Sequence, residues 1–92
     1  METFKSTDDK LKDLGFIKLK DSVLGLMYEK NYTSYRHKVF IGKKSNGDVI
    51  LQSYDPDRFD PDNIGNICVG LTYDELKLFI KKMEEFKSAR NL

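Results

Sequence analysis

Asn46-Gly47 is the feature that most restricts what this chain can become. Both residues tolerate the positive φ of a tight turn, and the segments on either side alternate apolar with polar, so Tyr35–Lys43 and Asp48–Tyr54 are predicted to pair as a hairpin. Tyr35, His37, Val39 and Ile41 share one side of the first strand, and Arg36, Lys38 and Phe40 share the other. A strict two-residue loop sets Ile41 opposite Gln52, whereas one extra residue beside the turn sets Ile41 opposite Leu51 and Val39 opposite Ser53. The bulged register aligns the apolar residues better. It turns Val39, Ile41, Val49 and Leu51 to one face and leaves Phe40, Ile50 and Tyr54 on the other.

The flanking segments extend this hairpin into a layered domain. Phe16–Lys20 reads as a strand, Asp21-Ser22 as a turn, and Leu24–Lys30 as a second strand with Leu24, Leu26 and Tyr28 on one face. Ser6–Leu14 reads as a short helix, capped by Ser6 or Thr7 and ended by Gly15. Thr72 and Glu75 form a capping box for the longest helix, along which Leu76, Phe79, Ile80, Met83 and Phe86 recur as a single stripe expected to face the sheet. Between the hairpin and this helix, DPDRFDPDNIGN (Asp55–Asn66) carries two prolines and a glycine and is predicted to be a loop anchored inward by Phe59 and Ile64. Ile67–Val69 then either adds a short strand or threads along the core. The expected fold is a single α+β domain over residues 1–92. It has two layers in the order α-β-β-β-β-α, an antiparallel four-stranded meander with both helices on one face.

Composition removes several classes of function. Sixteen basic against fifteen acidic residues leave a net charge of +1, which gives no global attraction to nucleic acid or anionic membrane. No apolar run approaches the ~20 residues that span a bilayer. The opening METFKSTDDK lacks the apolar stretch of a secretory signal, so a cytoplasmic protein with no membrane partner is expected. Cys68 is the only cysteine, which leaves no disulfide framework and no cysteine-rich metal site, and it is expected to be a buried thiol.

Local patches then carry the functional reading. Asp55, Asp57, Asp60 and Asp62 offer the oxygen ligands a hard cation prefers, but their spacing does not fit an EF-hand, and Asp-Pro-Asp turns that cap their own backbone account for them without a metal. No metal or cofactor is therefore assigned. His37, the only histidine, shares a strand face with Val39 and Ile41 and is more readily a hydrogen-bonded core residue than a catalyst. No spacing brings it to Cys68, and GKKSNG lacks the pattern of a phosphate-cradling loop, so an enzyme is not expected. Arg36, Lys38, Lys43 and Lys44 beside tyrosines and Phe40 give a nucleic-acid alternative, helped by a charge of +3 over residues 1–54 against −2 over 55–92. Helices on one face leave the other sheet face open, so Tyr35, Phe40, Ile50 and Tyr54 are the candidate surface for a protein partner or a homodimer. A small-ligand or enzymatic role of unidentified type is the remaining alternative.

The order of a capped helix ending Leu14-Gly15-Phe16, strands through Tyr28, Tyr35 and Val39 to Ile41, and a Leu71-Thr72-Tyr73-Asp74-Glu75-Leu76 helix ending KKMEEF resembles small uncharacterised phage and prophage proteins of Gram-positive bacteria. The resemblance spans nearly the whole chain, apart from the Asp55–Asn66 segment, where a shorter return is expected. It implies a prophage or mobile-element setting and a host-interaction role, and supplies no catalytic residues.

Overall fold

Residues 5–62 and 65–90 are described by a computed structural model of the chain. Its elements run α1 (Thr7–Asp13), β1 (Ile17–Ser22), β2 (Gly25–Asn31), β3 (Arg36–Lys43), β4 (Val49–Asp60), β5 (Gly65–Cys68) and α2 (Tyr73–Arg90). The strands form one antiparallel sheet in sequence order, β1-β2-β3-β4-β5, and both helices pack against it, which is the two-layer α+β arrangement expected. The shortest dimension of 22 Å accommodates a sheet and one helical layer, with no third layer.

Local chemistry explains each boundary. The Ser6 hydroxyl accepts the Asp9 N–H at 3.1 Å and Asp9 accepts the Ser6 N–H at 3.3 Å, so α1 begins with a capping box, and it is left through Gly15 at φ +99°. The box at α2 closes as predicted, with the Thr72 hydroxyl accepting the Glu75 N–H at 3.1 Å and Glu75 accepting the Thr72 N–H at 2.8 Å. The central hairpin takes the bulged register, with Ile41 opposite Leu51 and Val39 opposite Ser53, and turns through Gly47 at φ +93°.

Three expectations are corrected. The sheet has five strands rather than four, because Asp55–Asn66 is not a loop: β4 continues to Asp60 and β5 starts at Gly65. Proline is tolerated here because the β4–β5 ladder is interrupted between Tyr54 and Phe59, where Pro56 lacks the N–H a regular ladder would use. The Asp57 N–H turns to the Asp55 carboxylate at 2.9 Å, and the Asn66 side-chain amide donates to the carbonyls of Pro56 and Arg58 at 3.3 and 3.1 Å. The first hairpin turns at Val23-Leu24 instead of Asp21-Ser22, so Leu24 stands 77% exposed and does not share the face of Leu26 and Tyr28. On α2, Phe79 and Phe86 are buried and Met83 is partly so, but Leu76 and Ile80 stay exposed.

The core gathers Leu11, Phe16, Leu26, Tyr28, Val39, Ile41, Phe79 and Phe86 between the helices and the strands. Phe79 meets Phe16 and Tyr28 edge to face, at ring separations of 5.1 and 5.5 Å. The helix–helix seam is polar at its rim. Asp8 accepts from the Tyr28 hydroxyl at 2.6 Å, Lys18 at 2.8 Å and Lys82 at 3.2 Å, while the Thr7 hydroxyl donates to Glu85 at 2.5 Å. Burial would push the Asp8 carboxyl up, but those three donors outweigh it and hold the group below its ordinary range. Burial and the same bond push the Tyr28 phenol far above its usual value.

Candidate functional site

Strand alternation assigns every side chain of the sheet to one of two faces. Leu26, Tyr28, His37, Val39, Ile41 and Leu51 point to the helices, so the residues that alternate with them along each strand form the opposite, uncovered face. Phe40, Ile50 and Tyr54 lie on that face, with Met27 directly across from Phe40 and Gln52 between the two β4 residues. They are half-buried, not enclosed.

Phe40 is seated by two glycines. A Cβ on Gly25 would fall 2.6 Å from the Phe40 ring, and one on Gly42 would fall 2.5 Å from it. Gly25 and Gly42 are cross-strand partners, so the ring lies across a bare patch of backbone and keeps its outer side towards solvent. The Tyr54 hydroxyl approaches the Met27 sulfur at 3.9 Å, which ties the platform together across β3. Two glycines within alternating strands are the sequence signal for this seat, although only the register pairs them.

Tyr35 is not part of the platform. It precedes β3, and its ring stacks on Tyr32 at 4.5 Å with the planes 10° apart. Lys30 stands over the Tyr32 ring at 5.1 Å and pairs with Glu75 of α2 at 3.6 Å, so this tyrosine pair belongs to the end of the molecule where α2 begins.

The basic candidates are split between the two ends of β3, Arg36 and Lys38 at one and Lys43 and Lys44 at the other. Arg36 spans Asp57 with two short bonds of 2.7 and 2.6 Å and also reaches Glu29 at 3.1 Å, so its fork is occupied by carboxylates. That guanidinium holds the Asp57 carboxyl below the usual carboxylate range. Lys38 is half-buried on the open face, while Lys43 and Lys44 are exposed at the other end of β3, about 23 Å from Arg36 at 3.3 Å per residue.

The aspartates serve the backbone. Asp55 is buried, accepts the Asp57 N–H and pairs with Arg58 at 3.5 Å, and Asp60 accepts the Asp62 N–H at 3.0 Å. Both Asp-Pro-Asp steps therefore satisfy their own backbone, the first within β4 and the second in the turn that follows it. Among the described residues no group of three or more His, Cys, Asp or Glu side chains is placed to hold a metal. Phe59, expected as an inward anchor, is 61% exposed. Ile64 lies outside the described residues.

His37 is buried against Phe16, ring to ring at 5.3 Å, with its Nε2 2.6 Å from the Ser53 hydroxyl. Ser53 gives its one hydrogen to the Val69 carbonyl at 2.6 Å, so the imidazole must be the donor in the His37–Ser53 bond. This polarity is opposite to nucleophile activation, in which the imidazole accepts the hydroxyl proton. Burial lowers the His37 pKa, partly opposed by nearby Glu75. Sequence reasoning did not find Ser53, since only the β3–β4 register brings it near His37. Cys68 is exposed instead of buried. It pairs with Tyr54 on the open face, which puts the sheet between thiol and imidazole.

A groove of about 600 Å³ lies along the β4–β5 seam, bordered by Gln52, Ser53, Tyr54, Asn66 and Cys68. Among the described residues its lining includes no carboxylate, histidine, lysine or arginine. No helix among the described residues is long and apolar enough to cross a membrane. Compared with known proteins, the chain matches no family model, no curated protein and no solved structure.

Proposed function

We propose that this chain is a non-enzymatic protein–protein interaction module that presents the uncovered sheet face to a protein partner. The observation carrying this reading is the half-exposed Phe40–Ile50–Tyr54 platform, seated on glycines and facing away from both helices. Aromatic side chains provide large contact area at low entropic cost, and the surrounding Glu29, Arg36, Lys38 and Gln52 supply a polar border. The occupied fork of Arg36 and the placing of Lys43 and Lys44 at the opposite end of β3 from Arg36 and Lys38 favour this reading over nucleic-acid binding. The donor role of His37 weighs against hydrolytic chemistry at Ser53. A cytoplasmic location and a phage or prophage setting belong to the same proposal, the first supported by the unpaired thiol and the second by the resemblance of chain order.

The test compares the native protein with Phe40→Asp and Ile50→Asp variants whose circular dichroism is unchanged. The reading expects a defined partner, or a self-associated species, that the native protein retains and both variants lose. Sedimentation of an unchanging monomer, together with a partner list identical for native protein and variants, would overturn it. Binding of single- or double-stranded nucleic acid at low salt, weakened by Lys38→Glu, would favour the alternative instead.

A further inference from the structure

The outer edge of β4 is paired along only part of its length. The β5 ladder ends where the Val69 N–H donates to the Ser53 carbonyl at 3.1 Å and the chain leaves for α2. Residues 49–52 pair with β3 on one side and, among the described residues, with no strand on the other. Strand geometry fixes which groups face that gap. The Asp48 carbonyl accepts from Lys44 at 2.8 Å on the β3 side and the Ser53 carbonyl faces β5, so the N–H and C=O groups of Val49 and Leu51 point outward. Two donors and two acceptors at ladder spacing thus continue the line of β5 over about 14 Å, at 3.4 Å per residue. The groove at this seam follows the same edge: Leu51, Gln52, Ser53 and Tyr54 all border it, and consecutive residues share only the strand margin. On the helix side, Leu76 and Ile80 are 40 and 46% exposed on the flank of α2 turned away from the Lys82 and Glu85 contacts with α1. Because α2 packs on β4, that flank borders the edge, above half-buried Val49 and Leu51. The opposite margin of the sheet is protected, since β1 carries Lys18, Lys20 and Asp21 and breaks register between the two lysines. Residues 49–52 carry no charge and pair with β3 without a break.

We infer that the outer edge of β4 takes up an extended segment of a partner protein, added as a short strand end to end with β5. The outward backbone groups require an occupant that is itself extended. Its side chains follow from the two sides of the edge. A residue turned towards the helices meets Leu51, Leu76 and Ile80 and is apolar, whereas its neighbours turn towards Gln52, Tyr54 and Cys68 and are uncharged. A second copy cannot supply the segment through the same edge. Antiparallel pairing of Val49 with Leu51 in both directions would put its Asn46-Gly47 turn where Cys68 and Val69 already stand.

The β4 edge and the open sheet face are separate surfaces, and one set of measurements distinguishes them. Amide exchange of the full chain, followed by NMR, should alternate along β4, with Val49 and Leu51 roughly a hundredfold faster than Ile50 and Gln52. A blocked hexapeptide of alternating threonine and valine, added to millimolar concentration, should slow the Val49 and Leu51 amides about tenfold and saturably. The same peptide methylated at every amide nitrogen should have no effect. Ile80→Asp should weaken the peptide about tenfold, and Phe40→Asp should leave its affinity within about twofold. Equal protection of all four amides in the free chain, or protection of Val49 and Leu51 that rises with protein concentration as a second copy takes the edge, overturns the inference. So does the absence of slowing by the peptide, or equal slowing by its methylated form. An effect lost in Phe40→Asp and kept in Ile80→Asp also overturns it and places the contact on the open face.

Discussion

The middle of the sheet and its β5 edge are built from similar residues and treated very differently. Strands β2 and β3 lie beneath the helices, where Tyr28, Val39 and Ile41 are at most 1% exposed and the aromatic rings of Phe16 and Phe79 close over them. At the β5 edge, distal β4 and β5 carry Phe59 at 61% and Ile67 at 40% exposure, and Cys68 is exposed. The strand pairing is regular in the first region and interrupted between Tyr54 and Phe59 in the second. Two helices are enough to cover about three strands, so adding a fifth strand produces surface faster than it produces core.

The sharpest way to break this contrast is to truncate a ring in each region. Phe79→Ala removes a fully buried side chain from the centre of the aromatic cluster and should cost roughly 3–5 kcal/mol in denaturant unfolding, a large part of a small domain's stability. A negligible loss would show that the covered core is misplaced. Gly25→Ala comes next. The new methyl would meet the Phe40 ring at 2.6 Å and the Ile41 carbonyl oxygen at 2.8 Å, and should cost about 1–3 kcal/mol. Gly42→Ala meets mainly the ring and should cost less, with part of the loss recovered by Phe40→Ala.

Protonation gives a further handle on the covered region. His37 has a folded-state pKa below its ordinary 6.5, so the unfolded chain takes up the proton first. Its contribution is complete above pH 6.5 and is lost as the pH falls through the window below that value. Urea unfolding at a series of pH values should show this slope, and a His37→Gln variant should lack it, because no other histidine is present. Phe59→Ala should have the smallest effect, within about 0.5 kcal/mol, since the ring is largely in water. A loss comparable with that of Phe79→Ala would erase the distinction between the two regions.

The covered half was the legible half. Alternation around Asn46-Gly47 fixed the β3–β4 register, because only one alignment sets Ile41 against Leu51, and Thr72 with Glu75 marked the start of α2. The uncovered half was misread wherever a rule assumes a core on the other side. Leu76 and Ile80 fit the helical period of a buried stripe, yet α2 lies at the margin of the helical layer and buries a single flank. Residue type places Phe59 and Cys68 in the interior, which fails because Phe59 lies on the distal part of β4 beyond the core and Cys68 pairs with Tyr54 on the open face. The prolines of DPDRFDPDNIGN signal a loop, whereas Asp55 and Asn66 supply hydrogen bonds that let β4 stay extended and Asp60 caps the turn after it. Tyr35 joined the candidate platform by aromatic character alone, and its position beside Tyr32 depends on the turn between β2 and β3. The Phe40 seat needed the pairing of Gly25 with Gly42, and the His37–Ser53 bond needed the hairpin register: both are contacts between strands, invisible to a local reading.

Native-state hydrogen exchange, followed with increasing denaturant, tests the two-region account most directly. The amides of Tyr28, Val39, Ile41 and Phe79 should exchange only through global unfolding, with a common free energy and a common denaturant dependence. Those of Phe59 and Gly65–Cys68 should exchange through a smaller opening that leaves the covered strands intact. Equal protection and one shared denaturant slope across both groups would contradict the account.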